Sequence, residues 1–315
     1  MKKLYTLFFI TFAGATFAQQ SLPFSDSFSY PAGNLHETAP WSALGTAHAT
    51  DHILLDGSKV TFDGIGTDAQ VSITSQTSGT IFYRINLNVL SMTGVTDTNG
   101  GYLAGFSQNT STFGATLWTK RVDDTNFNLG IETRTATGAN TTYTAGSYPT
   151  GNPLTIVVAY TFNTGTTSDD TVKMWVNPSS TDEATPLLTD THTGTDLTSI
   201  ASFFLRQDSA TETPSVTVDD LKISQTFSEV LSSSSFNNNI EGLSVYPNPL
   251  KGNTLYLTST ANADMSVQIF DILGKEVVKS NVINNAVNVS DLNAGVYIVK
   301  VTEEGKTATR KLVIQ

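Results

Sequence analysis

Apolar and polar residues alternate along most of this chain of 315 residues. The alternation is clearest in four stretches, residues 81–89, 126–132, 154–162 and 172–176. A period of two places successive side chains on opposite faces of a β-strand. Clusters of Gly, Asn, Asp and Thr separate these stretches, which is typical of turns. Many strands joined by turns predict an all-β fold, an antiparallel jelly-roll sandwich.

A segment of low complexity divides the chain into two parts. Residues 231–239 contain four consecutive serines and three consecutive asparagines and have no period, which favours a flexible linker. The linker separates a larger domain, residues 19–230, from a smaller one, residues 240–315. Short strands in the smaller domain alternate with turn signals, and this spacing predicts a small Ig-like β-sandwich.

The first 18 residues have the pattern of a secretory signal peptide, with cleavage expected after Ala18. Lys2 and Lys3 precede a short apolar run over residues 4–12. The run is too short to span a bilayer comfortably, and no other stretch approaches that length. We therefore expect an exported protein whose mature form has no transmembrane segment.

Charge is distributed unevenly between the two parts. Residues 20–230 carry 8 Lys and Arg against 21 Asp and Glu, a net charge of −13, whereas residues 241–315 carry 7 of each. An acidic domain argues against binding to nucleic acid or to anionic lipid, which both need a basic face. It is compatible with calcium and with neutral glycans. The chain has no cysteine, so disulfides do not stabilise it.

The C-terminal segment contains a series of motifs. Val-Tyr-Pro-Asn-Pro stands at 245–249, Phe-Asp-Ile-Leu-Gly-Lys-Glu at 270–276, Leu-Asn-Ala-Gly-Val-Tyr at 292–297 and Lys-Leu-Val-Ile at 311–314. Together they resemble the type A C-terminal sorting domain of the type IX secretion system of Bacteroidota. The resemblance implies the type IX machinery as a partner, and a secreted protein or one attached to the outer-membrane surface. The residues expected to form the sorting motif are Pro247, Asn248, Pro249, Gly274, Gly295, Tyr297 and Lys311.

Motifs at the two ends of the larger domain indicate its class. Phe-Ser-Asp-Ser-Phe-Ser-Tyr-Pro-Ala-Gly stands at 24–33, and Val-Thr-Val-Asp-Asp-Leu-Lys-Ile at 216–223. They resemble the laminin-G-like, concanavalin-type jelly rolls of secreted bacterial proteins. The resemblance implies two packed antiparallel sheets, often with a calcium site and often with glycan binding.

Known catalytic motifs are missing from the sequence. Glucanases of this fold carry a Glu-x-Asp-x-x-Glu strand, whose alternation places the carboxylates on one face. None of the five glutamates in residues 19–230 has that spacing, and Gly-x-Ser-x-Gly and His-Glu-x-x-His are also absent. We therefore expect that the protein is not an enzyme.

Trp118 and Trp175 are the candidate ligand-binding residues, because exposed aromatic faces commonly bind sugars. Trp118 shares the more polar face of its predicted strand with Thr116 and Lys120, and Trp175 has the same relation to its own neighbours. The alternative is that each ring packs beneath a loop or a lysine side chain.

Asp26, Asp219 and Asp220 are the candidate metal ligands, with calcium as the candidate ion. Calcium takes clustered carboxylate and carbonyl oxygens. Asp219 and Asp220 lie in the last predicted strand, where one of the pair must face inward or sit at a bulge. The first and last strands of a jelly roll usually pair, which would bring Asp26 close. The alternative is that these carboxylates are solvated.

These features predict a secreted or cell-surface binding protein whose jelly roll contacts polysaccharide or another surface. One alternative is a structural or adhesive surface component without a small ligand. Another is a polysaccharide-degrading enzyme with an unfamiliar site. Saturable binding to a defined glycan separates the first two, and release of reducing sugar identifies the third.

Overall fold

A computed structural model gives the fold of most of the chain. The residues that it describes are 19–134, 140–191, 194–232, 240, 242–303 and 306–315. The predicted signal peptide, residues 1–18, and residues 233–239 of the predicted linker lie outside the described residues. The chain divides into two compact units, Met1–Ser232 and Ser233–Gln315.

The described part of the first unit consists of short strands, one 3-10 turn and one short helix. The strands are β1 (Phe24–Asp26), β2 (Gly33–Asn34), β3 (Trp41–Ala43), β4 (Leu54–Leu55), β5 (Val60–Phe62), β6 (Ala69–Gln76), β7 (Gly79–Ser91), β8 (Gly101–Asn109), β9 (Thr112–Asp123), β10 (Asn126–Arg134), β11 (Thr142–Tyr143), β12 (Tyr148–Pro149), β13 (Leu154–Phe162), β14 (Thr171–Val176), β15 (Leu188–Thr191), β16 (Ile200–Leu205) and β17 (Ser215–Ser224). The 3-10 turn is Leu35–Glu37 and the helix, α1, is Phe227–Leu231. Among the described residues, no helix has the length and apolar character needed to span a bilayer.

These strands form two antiparallel sheets. The nine-stranded sheet has the order β15-β14-β13-β7-β17-β5-β4-β2, with β1 also beside β17. The eight-stranded sheet has the order β11-β10-β9-β8-β16-β6-β3, with β12 also beside β10. The predicted all-β antiparallel sandwich is therefore confirmed.

Alternation along the strands builds the core between the sheets. On β7, Ile81, Tyr83 and Ile85 are buried in the large core cluster, whereas Arg84 and Asn86 are not part of that cluster. Because neighbouring side chains point to opposite faces, each sheet gives one apolar face to the core and keeps one outer face. The outer faces are thus where polar side chains can gather.

The first and last strands of this unit pair, as the sequence predicts. β1 runs antiparallel to β17, with Phe24 opposite Ile223 and Asp26 opposite Leu221. This pairing joins residues about 200 positions apart in the chain.

The second unit contains two smaller antiparallel sheets. Its strands are β18 (Ser244–Tyr246), β19 (Thr254–Thr258), β20 (Met265–Phe270), β21 (Glu276–Asn281), β22 (Ala286–Asn288), β23 (Gly295–Glu303) and β24 (Lys306–Ile314). The sheets have the orders β18-β19-β22 and β21-β20-β23-β24. Leu255, Ile269 and Val299 are among the fully buried residues of a core that is separate from that of the first unit.

Asp26 is a buried carboxylate that organises the start of the first unit. Its oxygens accept hydrogen bonds from the backbone N–H of Phe28 at 2.8 Å, the hydroxyl of Tyr30 at 2.9 Å and Nε1 of Trp41 at 2.7 Å. Burial raises the pKa of Asp26, and these three donors lower it again in part. Since Trp41 is completely buried, its indole N–H needs this acceptor.

We expect Asp26→Ala to lower the free energy of unfolding by roughly 2–5 kcal/mol, because it leaves buried donors without an acceptor. Chemical denaturation of the full chain measures the change. Asp124→Ala is the control, because its carboxylate is 59% exposed and pairs with Arg121 on the surface. The control should cost less than about 1 kcal/mol. Equal effects of the two substitutions would contradict the role assigned to Asp26.

Candidate functional site

A cleft opens on the outer face of the eight-stranded sheet, where β16 ends and β8 begins. Leu205 at the end of β16 pairs with Ala104 near the start of β8, and the N–H of Arg206 donates to the carbonyl of Leu103 at 2.9 Å. Antiparallel pairing thus brings the residues after β16 next to those before β8. The space is about 300 Å³ and is lined by Asp97, Asn99, Gly100, Gly101, Tyr102, Trp118, Arg206, Asp208 and Glu212. We call it the Tyr102 cleft.

Aromatic rings form one wall of the Tyr102 cleft. Tyr102 on β8 lies directly opposite Trp118 on β9, and their ring centroids are 5.1 Å apart. Trp118 is only 4% exposed and donates its indole N–H to Oγ1 of Thr116 at 2.9 Å. Tyr102 is half-buried, and burial raises its pKa to about 12. Trp118 therefore supports the ring of Tyr102, which remains accessible.

Arg206 is fixed over this wall by two carboxylates. Its guanidinium carbon lies 4.8 Å from the centroid of the Tyr102 ring. Its two terminal nitrogens bond Asp68 at 3.1 Å and Asp208 at 2.6 Å. Burial would lower the pKa of Arg206, but Tyr102, Asp68 and Asp208 raise it above its ordinary value. The guanidinium is thus held as a cation with little freedom to turn.

Burial disfavours the ionised form of Asp68. Its side chain is 12% exposed, and burial raises its pKa to about 6 although Arg206 and the N–H of Gln207 oppose the shift. The pKa of Arg206 is shifted in favour of its charged form, whereas that of Asp68 is shifted against it. The two shifts differ because Arg206 has two carboxylate partners, whereas Asp68 has one cation and is more deeply buried. A group kept in its less stable ionised form is common at functional sites.

Acidic side chains also line the cleft. Burial raises the pKa of the Glu212 carboxyl, and a hydrogen bond and the negative charge of Asp208 raise it further. The hydroxyl of Ser209 donates to Glu212 at 3.2 Å, and the N–H of Asn99 donates to Asp97 at 2.7 Å. Three carboxyl groups, those of Asp97, Asp208 and Glu212, therefore line one small space.

Two glycines allow the loops to approach this closely. A Cβ at Gly101 would lie 2.8 Å from both the Cβ and the carbonyl oxygen of Glu212. Gly100 has a φ of +83°, and a Cβ there would lie 2.5 Å from the carbonyl oxygen of Thr119. A side chain at either position would displace a wall of the Tyr102 cleft.

The two tryptophans predicted to offer exposed faces do not do so. Trp118 lines the Tyr102 cleft but is nearly covered, so the expectation of an open ring face is wrong. Trp175 is 3% exposed, because Phe227 and Val230 of helix α1 cover it, and its indole N–H donates to the carbonyl of Asp182 at 2.8 Å. Trp175 is not part of the cleft.

The three predicted metal ligands do not form a cluster. Asp26 already accepts hydrogen bonds from three donors and is turned toward Trp41. Asp220 sits at a β-bulge with a φ of +54°, as expected for one member of the pair, and forms an ion pair with Arg84 at 2.5 Å. Asp219 lines a separate open groove of about 600 Å³ that also contains Lys59. The predicted grouping is therefore wrong, because each carboxylate points to a different environment.

A different acidic cluster is present in the described part of the first unit. One oxygen from each of Asp169, Asp170 and Asp196 lies within 4.8 Å of the others. The N–H groups of Asp169 and Asp170 donate to the Asp196 carboxylate at 3.1 and 3.2 Å. Asp170 is buried and accepts from the hydroxyl of Tyr160 at 2.6 Å. Acidic clusters on loops are common without an ion, so calcium binding stays a prediction.

The residues of the predicted sorting motif have structural roles in the second unit. Asn248 uses its amide as a clamp, because its Nδ2 donates to the carbonyl of Lys311 at 2.7 Å and its Oδ1 accepts from the N–H of Val313 at 3.0 Å. Gly274 has a φ of +83° in the turn before β21. Gly295 begins β23, and the hydroxyl of Tyr297 donates to the carbonyl of Asn293 at 2.9 Å. Pro247 and Pro249 flank Asn248 at the end of β18.

Sequence reasoning did not find the Tyr102 cleft. Arg206 is the first charged residue after the apolar run of β16, and the Gly100-Gly101 pair stands immediately before Tyr102. Both were visible signals, since polar residues at strand ends often form sites. Their meeting depends on the pairing of β8 with β16, two strands about 100 residues apart, which alternation does not reveal.

Residues 244–315 match the protein family described as "Secretion system C-terminal sorting domain". The match supports export by the type IX secretion system and implies contact with its machinery. The protein is secreted or attached to the outer-membrane surface. The source in Bacteroidota and the laminin-G-like class of the larger domain stay predictions. No curated protein matches the chain.

Solved structures similar to the chain are sandwiches of the same kind. Alginate lyase Aly36B has a TM-score of 0.43 and 13% identity, with 66% of this chain and 98% of that chain covered. An endo-1,3-beta-glucanase from Streptomyces sioyaensis has a TM-score of 0.38 and 14% identity, with 68% of this chain and 98% of that chain covered. The carbohydrate recognition domain of Emp47p has a TM-score of 0.37 and 10% identity, with 67% of this chain and 98% of that chain covered. At these identities the likeness shows the fold alone.

The expectation that the protein is not an enzyme is contradicted by these comparisons. The similar structures include proteins named as alginate lyases and a glucanase. The expectation depended on the absence of a few known motifs, and a lyase does not need the two-carboxylate strand of a glucanase. The missing motifs therefore do not exclude catalysis.

The raised pKa of Asp68 predicts a specific dependence of stability on pH. Its folded pKa, about 6, lies above the ordinary value of 3.8, so the folded state binds the proton more tightly. Stability from this group is fully present below about pH 4 and is lost as the pH rises through 6, on the order of 3 kcal/mol. Asp68→Asn should remove this loss when the free energies of unfolding at pH 4.5 and 6.5 are compared.

Asp56→Asn is the control for this titration. Hydrogen bonds from Ser58 lower the pKa of Asp56 to about 2, so its contribution is lost only as the pH falls from about 4 toward 2. The control should leave the difference between pH 4.5 and 6.5 unchanged. If the free energy of unfolding of Asp68→Asn changes between pH 4.5 and 6.5 as much as that of the unaltered protein, Asp68 is not the titrating group.

The calcium prediction is tested by thermal unfolding of the full chain with calcium and with chelator. Chelation should lower Tm, because an ion bound only to the folded state stabilises it. Asp196→Asn should abolish the response, since it weakens the acidic cluster, whereas Asp124→Asn, in a surface turn, should keep it. An unchanged Tm in chelator would refute calcium binding.

Proposed function

We propose that the first unit binds polysaccharide and that the Tyr102 cleft is the contact site. The observation that carries this proposal is the ring of Tyr102, which is held between Trp118 and Arg206 and remains partly accessible. Sugar rings have flat apolar faces edged by hydroxyls, and an aromatic wall with polar neighbours complements both features.

The polar groups of the cleft are suited to hydroxyl recognition. Asp97, Asp208 and Glu212 provide carboxyl oxygens that accept hydrogen bonds, and the side-chain amide of Asn99 can both donate and accept. Arg206 and Asp208 are fixed by their ion pair, so the cleft needs little rearrangement before it binds. A preorganised site loses less conformational entropy on binding.

Export is consistent with this role. A protein that is secreted or held at the outer-membrane surface meets polysaccharides of the cell surface and of the surroundings. The acidic first unit has few cations with which to bind nucleic acid or anionic lipid. The proposal concerns binding, and release of reducing sugar should be followed in the same assays.

We assign the Asp208–Glu212 pair to ligand contact. The two carboxyl groups line the same small space, and burial and the negative charge of Asp208 raise the pKa of Glu212. The pair can therefore accept hydrogen bonds from a donor group of the ligand.

We expect Tyr102→Ala to weaken polysaccharide binding about tenfold, equivalent to ~1.4 kcal/mol, because it removes the accessible aromatic face. Calorimetric titration of the full chain with a panel of soluble polysaccharides measures the effect. Tyr102→Phe should retain most of the affinity, since it keeps the ring.

Tyr256→Ala is the control for this test. Tyr256 lies in the second unit, is 42% exposed and stacks on Tyr246, so it offers an aromatic surface of similar size away from the cleft. It should bind like the unaltered protein. If Tyr102→Ala is folded by circular dichroism and binds unchanged, the cleft is not the site. If no polysaccharide binds, the structural or adhesive alternative gains support.

A further inference from the structure

The Tyr102 cleft has an excess of negative charge. Its acids are Asp97, Asp208 and Glu212, with Asp68 directly behind, and Arg206 is the cation among the residues that line it. Even with Glu212 protonated, the acids outnumber the cation. A ligand that enters this space therefore experiences a net negative field.

Arg206 is poorly placed to bind an anionic ligand. Nη1 bonds Asp68 and Nη2 bonds Asp208, while one face of the guanidinium lies on the ring of Tyr102. A carboxylate on a ligand that approached this guanidinium would lie beside the carboxylates of Asp68 and Asp208. Like charges at this range destabilise each other. The cleft thus disfavours uronic acids.

A protonated amine has the opposite relation to the same groups. It can donate up to three hydrogen bonds, and the cleft supplies acceptors in Asp97, Asp208 and Glu212. An ammonium beside Glu212 would favour the ionised form of that carboxyl, which burial and the charge of Asp208 disfavour.

We propose that the Tyr102 cleft takes a glycan whose sugars carry a free, protonated amino group, in preference to neutral or uronic-acid glycans. The juxtaposition that carries this inference is the aromatic wall of Tyr102 and Trp118 facing the carboxyl groups of Asp97, Asp208 and Glu212. The inference rests on the proposed function, because it names the class of polysaccharide that the same cleft selects.

The test compares three oligosaccharides of equal length with the full chain at about pH 6, where an amino group is protonated. They are a glucosamine oligomer, its fully N-acetylated counterpart and an oligomer of uronic acid. The glucosamine oligomer should bind at least about tenfold more tightly than the N-acetylated one, or ~1.4 kcal/mol, and the uronic acid oligomer should not bind measurably.

Variants separate the cleft from the general acidity of the protein. Glu212→Gln and Asp208→Asn keep the size of each side chain and should each lower the preference for the amine several-fold. Glu183→Gln removes the same charge from an exposed position outside the cleft and should change nothing. The preference should also persist when salt is raised to about 0.3 M, whereas unspecific attraction is screened.

The pH provides a further readout. Because Glu212 holds its proton more tightly than an ordinary glutamate, it ionises over a higher range. Affinity for the glucosamine oligomer should therefore rise with pH over that range as long as the amino group stays protonated, and Glu212→Gln should flatten this rise.

The outcomes distinguish the two proposals. Equal or tighter binding of the N-acetylated oligomer, with Tyr102→Ala still weakening it, would overturn the amine preference and leave the glycan site in place. Tight binding of the uronic acid oligomer would also overturn it. Loss of binding in Glu183→Gln equal to that in Glu212→Gln would assign the preference to bulk charge and overturn it. No binding of any glycan would refute both.

Discussion

The core shared by the two large sheets is the constraint on which the rest of this structure depends. Each strand gives alternate side chains to that core, so residues with useful chemistry are confined to the outer faces and to the loops at strand ends. On β8 and β9, Leu103 and Leu117 enter the core, while their neighbours Tyr102 and Trp118 belong to the opposite face. The aromatic wall of the cleft therefore follows from the same alternation that builds the sandwich.

Antiparallel pairing supplies the second part of the site. The pairing of β16 with β8 fixes Arg206 beside the start of β8, and its ion pairs connect it to Asp208 in its own loop and to Asp68 in a further loop. Asp68 immediately precedes β6, the other neighbour of β16 in the sheet. Three strand ends thus meet around one guanidinium, which explains why a rigid cleft forms at this edge.

The sequence predicted the strands better than it predicted which residues cover each face of a strand. In the second unit, the short strands predicted between turn signals are present as β18 to β24. Alternation correctly placed Trp118 and Trp175 on outer faces, but it carries no information on what covers a face. A five-residue helix covers Trp175, and Tyr102 covers Trp118. The cleft itself depends on contacts between distant strands, which a local pattern cannot specify.

The acids of the first unit fall into groups with different physical roles. Asp56, Asp123 and Asp182 accept hydrogen bonds from nearby backbone N–H groups, which lowers their pKa and stabilises turns. Asp26 has a raised pKa, but its three donors show that a raised pKa alone does not mark a functional site. Glu212 differs from both groups, because it is partly buried beside another acid and faces a cleft. The ionised form of such a group destabilises the folded protein until a ligand supplies positive charge beside it, so binding of a cation in the cleft would relieve this unfavourable electrostatic interaction.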